Sequence, residues 1–184
     1  MKKEEPGVLL PEWDMLPDIG LYMDQVVTLM ERTFVPALPK GEMTKSMVNN
    51  YVKVGLVPRP AGKKYDREHL AVLLIICVLK QALSMENIAK LLRGLCADGV
   101  KAGYEHFLTQ LACIQRAAAE GRIEPGGEEE TPQECALRAG LMASLCTIRA
   151  SRLMDALGKE TASAQARKRQ EASYPVKDKP AGGF

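Results

Sequence analysis

At 184 residues the chain suits one compact domain of about 100 to 150 residues with an accessory segment. Hydrophobic residues make up 46% and aromatics 5%, which supplies a buried core but favours helix over sheet. A formal net charge of +2 does not by itself point to nucleic acid. The 5 cysteines are odd in number and lack a CxxC pair, which suggests reduced thiols in a cytoplasmic protein rather than a disulfide framework.

Their main reading is as small core residues, with a redox or metal sensor as the other. The longest apolar run, Leu70 to Leu79, is about half the length needed to span a bilayer and reads as a buried helix. The charges are not evenly spread: the first 39 residues are acidic on balance and the stretch from 40 to 67 is basic on balance.

In chain order, Met1 to Glu5 is charged and expected to fray, while Val8-Leu9-Leu10-Pro11 and Trp13 are apolar enough to dock. Asp18 reads as an N-cap. Ile19, Tyr22, Met23, Val26, Met30 and Phe34 follow it at helical spacing, predicting an amphipathic helix from Asp18 to about Phe34. Its outer residues Asp24 and Glu31 are expected to point away from any polyanion. A Pro-rich loop with Pro36, Pro39 and Gly41 follows.

The next stretch is the most informative. Thr44 is an N-cap for a helix from Lys45 to Lys53, and Gly55 with Pro58 stops it. On a helical wheel Lys45, Ser46, Asn49, Asn50 and Lys53 share one arc, while Met47, Val48, Tyr51 and Val52 fill the other. Ammonium groups neutralise phosphate and carboxamides suit the adenine edge, so the polar arc has the chemistry of a helix in the major groove. Pro58, Pro60 and Gly62 then make a tight excursion carrying Arg59, Lys63 and Lys64, with Tyr65 placed to anchor its return. Helix, Gly-Leu, basic loop, Tyr and second helix is the order of a winged helix-turn-helix.

The run Asn50-Tyr51-Val52-Lys53-Val54-Gly55-Leu56 resembles the end of the MerR recognition helix. Lys63-Lys64-Tyr65 with His69-Leu70 is similar to that family's wing, and Leu79-Lys80 with Leu83-Ser84-Met85-Glu86-Asn87-Ile88 to its following turn. More narrowly, Leu16 through Leu92 resembles the bacterial domain of unknown function 1836 family. Asn49 and Asn50 stand where MerR proteins have Arg and Tyr, and the usual turn before the recognition helix is replaced by the Pro-rich loop. The resemblance implies a mainly all-α, MerR-like winged helix-turn-helix with a small wing, plus C-terminal helices.

Asp66 caps the apolar helix, predicted to run to about Ala82, and Ser84 caps another with Ile88, Leu91, Leu92 and Leu95 on one face. His69 could touch phosphate or cap backbone, and is more often a partly buried helix-start residue. Tyr104, Phe107, Leu108, Leu111 and Ile114 predict a further helix. After a turn-rich acidic loop, Thr131-Pro132-Gln133-Glu134 is a capping box opening a helix to about Leu157, stopped by Gly158. Its stripe is Leu137, Leu141, Leu145, Ile148 and Leu153. The two C-terminal helices either pack back on the core or form a homodimer interface. From Lys159 the sequence reads as a disordered tail, with Arg167-Lys168-Arg169 offering at most a weak phosphate contact.

The domains read from this are a DNA-binding domain over 1–97, a helical segment over 98–158 and a tail over 159–184. The expected function is a sequence-specific transcriptional regulator binding double-stranded DNA. Lys45, Ser46, Asn49, Asn50 and Lys53 would face the groove, Arg59, Lys63, Lys64 and Arg67 the phosphates, and Tyr65 would fix the wing. The alternative is a winged-helix protein-interaction module gripping an acidic protein surface. With only 2 histidines, no local nucleophile pairing, no phosphate loop and no metal-ligand spacing, neither an enzyme nor a cofactor is expected.

Overall fold

The structure, a computed structural model, describes residues 7–34, 38–39, 43–120, 122 and 131–172, with side chains described for all of these except 33–34 and 167–172. Met1 to Glu5, expected to fray, most of the Pro-rich loop, the acidic loop and the Arg167-Lys168-Arg169 side chains lie outside the described residues. The chain divides into two compact units, Met1–Ile148 and Arg149–Phe184.

The first unit is built around its most apolar segment. Helix α3 (Arg67–Leu79) has no polar face beyond its first turn, and every residue from His69 to Leu79 is buried. Asp66 caps it as the sequence predicts, its carboxylate accepting from the His69 backbone N–H at 3.2 Å. α3 packs against α5 (Val100–Ala119), which buries Tyr104, Phe107, Leu111 and Ile114. α4 (Met85–Leu95) also lies against α5 and buries Ile88, Leu91 and Leu92. Its cap is Ser84, whose hydroxyl accepts from Asn87 N–H at 3.3 Å. α1 (Met23–Leu29) meets α2 (Lys45–Lys53) and continues into a π-helical turn over Met30–Phe34.

Helix α6 (Pro132–Ala172) begins in this unit. Thr131 and Glu134 form the expected reciprocal cap: Thr131 N–H donates to Glu134 Oε2 at 2.8 Å, and Glu134 N–H donates to Thr131 Oγ1 at 3.3 Å. Leu137, Leu141 and Ile148 are buried, and Ser144 Oγ donates to the Leu79 carbonyl at 3.5 Å. Of the two fates open to the C-terminal stripes, packing back on the core is the one that covers them here.

Before α1 the chain forms an arm over 7–22. Gln115 clasps Val8 at both polar atoms, accepting from its N–H at 2.7 Å and donating to its carbonyl at 3.1 Å. Tyr104 Oη donates to the Pro11 carbonyl at 2.8 Å. Trp13 leans on the Tyr104 ring at 6.3 Å, and Val8 and Leu16 are buried.

The first helix departs from expectation: it starts at Met23 with Tyr22 at the cap, and Asp18 is spent elsewhere. The backbone of Leu21 pairs with Tyr65, which holds this stretch extended and denies it helical hydrogen bonds. The second difference lies at Gly158, which does not stop α6. One glycine costs a helix about 1 kcal/mol, and the Ala, Lys, Glu and Gln around it restore the propensity, so the expected tail is helical as far as Ala172.

The second unit, described by itself, is the helical stretch from Arg149 to Ala172. Leu153, Met154 and Leu157 are exposed, so Leu153 does not extend the buried stripe. No helix among the described residues is long and apolar enough to cross a membrane.

Candidate interaction face

Helix α2 forms as its sequence dictates. Thr44 Oγ1 accepts from Met47 N–H at 3.2 Å, and Gly55 ends the helix with φ +75°, a conformation glycine adopts at no steric cost. Val48 and Tyr51 are buried while Met47 and Val52 are half-buried. Lys45, Ser46, Asn49, Asn50 and Lys53 are all exposed on the opposite arc. Burial raises the Tyr51 phenol pKa, and the neighbouring Cys77 adds to the shift.

Beyond Val57 the chain makes a two-residue turn. Lys64 N–H donates to the Ala61 carbonyl at 2.9 Å across Gly62 (φ 56°) and Lys63 (φ 64°), both left-handed. Arg59, Lys63 and Lys64 are exposed, and the Lys64 ammonium sits 5.5 Å from the centre of the Tyr22 ring. Tyr65 is only 4% exposed, and its burial raises the phenol pKa.

Here the winged helix-turn-helix reading is corrected. A wing needs a β-hairpin ladder, and the described residues contain no β-strand. Only two isolated bridges occur, Ala61 with Lys64 and Leu21 with Tyr65. Pro58 and Pro60 lack the N–H groups that a ladder through this segment requires. The MerR-like fold, the DNA-binding transcriptional role and double-stranded DNA as partner all fall with it, as does the winged form of the alternative. The molecule remains mainly α-helical.

Arg67 is engaged within the chain. Its side chain is 19% exposed, lies 3.6 Å from both Asp14 and Asp18, and stacks 5.8 Å from the Trp13 ring. Asp24, one of the two acidic residues expected to point away from any polyanion, is in contact with the Lys45 ammonium. His69 takes the capping role: its Nδ1 lies 2.6 Å from Asp66 Oδ1 and 3.2 Å from the Asp66 backbone nitrogen.

A groove beside α1 has no counterpart in the sequence reading. A cavity of about 470 Å³ is lined by Pro17, Ile19, Leu21, Thr28 and Leu29, with Asp24, Gln25 and Arg32 supplying its polar atoms. Ile19 is 67% exposed and Met15 and Tyr22 are also exposed. Pro17 and Gly20 were the available signals that Ile19 leaves the helical register.

A second cavity, about 400 Å³, opens among α4, α5 and the start of α6 and carries Asp98, His106 and Glu134. Glu134 is already committed to the Thr131 cap. A Cβ on Gly94 would sit 2.0 Å from the Gln133 side-chain oxygen, so that amide occupies the wall. Among the described residues no group of three His, Cys, Asp or Glu side chains is placed to hold a metal ion.

Residues 11–107, just over half of the chain, match the profile of a domain of unknown function (DUF1836). No curated protein and no solved structure matches the chain.

Proposed function

We propose that this chain, which belongs to the DUF1836 family, is a non-catalytic recognition module that captures an acidic segment of a partner protein on the α2 face and the adjoining turn. One observation carries the reading. From Thr44 to Tyr65 the chain holds Lys45, Lys53, Arg59, Lys63 and Lys64 and no Asp or Glu, and all five cations are exposed. A cluster of one sign on a small molecule focuses its field and speeds encounter with the opposite charge.

Ser46, Asn49 and Asn50 stand among these cations. A hydroxyl and two carboxamides offer both donors and acceptors to a peptide backbone. Asp24, against Lys45 at the head of α2, sets a carboxylate at one end of the face and marks where the partner's negative charge stops.

Fluorescence anisotropy with a labelled Glu-rich peptide, read across a salt series, tests the proposal. The acidic peptide is expected to bind and a Gln-for-Glu version is not, with affinity falling as salt rises. Lys53→Glu combined with Lys63→Glu should abolish binding while leaving the fold intact, since both side chains are exposed. Equal binding of the two peptides, or none at low salt, overturns it.

A further inference from the structure

We infer that the cationic face carries a built-in competitor: Asp24, in the first turn of α1, holds the Lys45 ammonium against an incoming carboxylate, and the arm keeps it there. The inference rests on the acidic-segment reading and adds how that same site is restrained by its own chain.

The two halves of the charge pattern meet in the fold. Residues 7–34 carry the carboxylates Glu12, Asp14, Asp18, Asp24 and Glu31, while 44–65 carry none. Three of those five reach across to the basic stretch, Asp14 and Asp18 to Arg67 and Asp24 to Lys45. The first acidic segment to lie on these cations is therefore the chain's own.

The contacts differ in how firmly they hold. Arg67 is sheltered, 3.6 Å from both Asp14 and Asp18 and beside the Trp13 ring. Buried Leu16 and the backbone pair between Leu21 and Tyr65 reinforce that part of the arm, which is an anchor. The Lys45 and Asp24 side chains are 61% and 73% exposed. Water and side-chain freedom limit such a pair to an effect of about fivefold or less on an equilibrium. The Asp24 contact yields to a ligand while the anchor stays in place.

Position makes the contact competitive. Asp24 stands two residues beyond Tyr22, which lies under Lys64 and directly follows the paired Leu21. A carboxylate tethered in this way competes at an effective concentration on the order of millimolar. A partner's carboxylate that reaches Lys45 has to displace Asp24, so the exchange adds no ion pair. With Asp24 in place the partner's negative charge stops short of Lys45 and rests on the other exposed cations of the face. Without it the run extends by one cation.

The test uses the full chain, the labelled Glu-rich peptide and anisotropy at low salt. Asp24→Asn and Asp24→Ser are each expected to tighten binding about three- to fivefold. Glu31→Gln removes an exposed carboxylate two turns further along the same helical run. It reports the effect of net charge alone, which should stay below about twofold. In a Lys45→Gln background the gain from Asp24→Asn should shrink to the size of the Glu31→Gln effect, the mark of a direct contact. Circular dichroism confirms that each variant is folded. If the original chain binds and both Asp24 variants change affinity no more than Glu31→Gln does, the competitor assignment fails while the acidic-segment reading stands. A gain that persists in full without Lys45 has the same meaning. If none of the proteins binds the peptide, the underlying reading fails.

Discussion

Leu21 and Tyr65 exchange both of their backbone hydrogen bonds, each 2.8 Å long. This single antiparallel pair joins the arm to the turn that precedes α3, and it explains why the first helix begins late. It also places Tyr22 under Lys64, so the groove and the cationic face share one hinge. Tyr65 is the buried side chain at that joint and packs edge-on to His69 at 5.4 Å. Tyr65→Ala is expected to cost about 3 to 5 kcal/mol, the range for losing a buried aromatic ring, measured by urea unfolding. A loss below about 1 kcal/mol would show that the joint does not hold the arm.

The turn at Gly62-Lys63 separates stability from binding. Lys63 occupies a left-handed backbone conformation at φ 64°, which costs a side chain with a Cβ about 1 kcal/mol or more. Asparagine tolerates that region. Lys63→Asn should therefore raise stability by about 0.5 to 1 kcal/mol while weakening an acidic peptide through the lost charge. Gly62→Ala, at φ 56°, should lower stability by about 1 kcal/mol. Thermal unfolding and anisotropy on the same samples separate the two effects. A Lys63→Asn variant that loses both stability and binding would contradict this account.

What could be read from the residues was local, and what could not was a matter of pairing at a distance. The caps at Thr44, Asp66, Ser84 and Thr131 are written in three-residue spacings, and all four accept the expected hydrogen bonds. The burial of α3 follows from its apolar run. The exposed polar arc of α2 follows from its period. The groove does not, because it exists only where Leu21 meets Tyr65 and draws Ile19 out of the helix. Arg67 reads as one more cation in a basic stretch until the arm brings Asp14, Asp18 and Trp13 to it. The wing fails for a local reason. Basic residues and a terminal Tyr mimic its sequence, whereas two prolines remove the backbone donors that a hairpin needs.

The clasp of Gln115 on Val8 predicts a local weakness. Removing its amide with Gln115→Ala deletes two side-chain-to-backbone bonds, each worth about 1 kcal/mol. The expected result is faster amide exchange at Val8 and earlier proteolysis within the arm, with a smaller change in global unfolding. Unchanged exchange at Val8 would mean that the burial of Val8 and Leu16 holds the arm without the clasp.

Cys77 should be the last thiol to react and a source of alkaline instability. Burial pushes its pKa up to about 11, against a smaller opposing pull from Lys80, compared with an ordinary 9.0. Cys113, Cys135 and Cys146 are exposed and should label quickly with a thiol reagent at pH 8, while Cys77 labels at the rate of unfolding. The sign follows from proton count. Between pH 9.0 and about 11 the unfolded thiol has lost its proton and the folded one has not, so stability falls as pH rises through this window. The loss approaches about 2 to 3 kcal/mol above it. Cys77→Ala should flatten that part of the curve, and an unchanged slope would assign it to the buried tyrosines, whose pKa values are also raised.

Asp66 sets the acid limb. Burial alone would raise its pKa, but the hydrogen bonds from the His69 ring and backbone outweigh it and hold the value below the ordinary 3.8. A carboxylate with a lowered folded pKa contributes stability that is present above its unfolded value and is lost as pH falls through the folded one. Asp66→Ala should therefore cost about 1 kcal/mol near neutrality, the usual worth of an N-cap, and progressively less below pH 3.8. Asp66→Asn keeps an oxygen for the His69 N–H at every pH, so it should hold most of the neutral stability while losing its acid dependence. Urea midpoints for the three proteins between pH 2 and pH 7 decide the matter. A cost for Asp66→Ala that stays constant across the range would show that the cap acts through shape and not through charge.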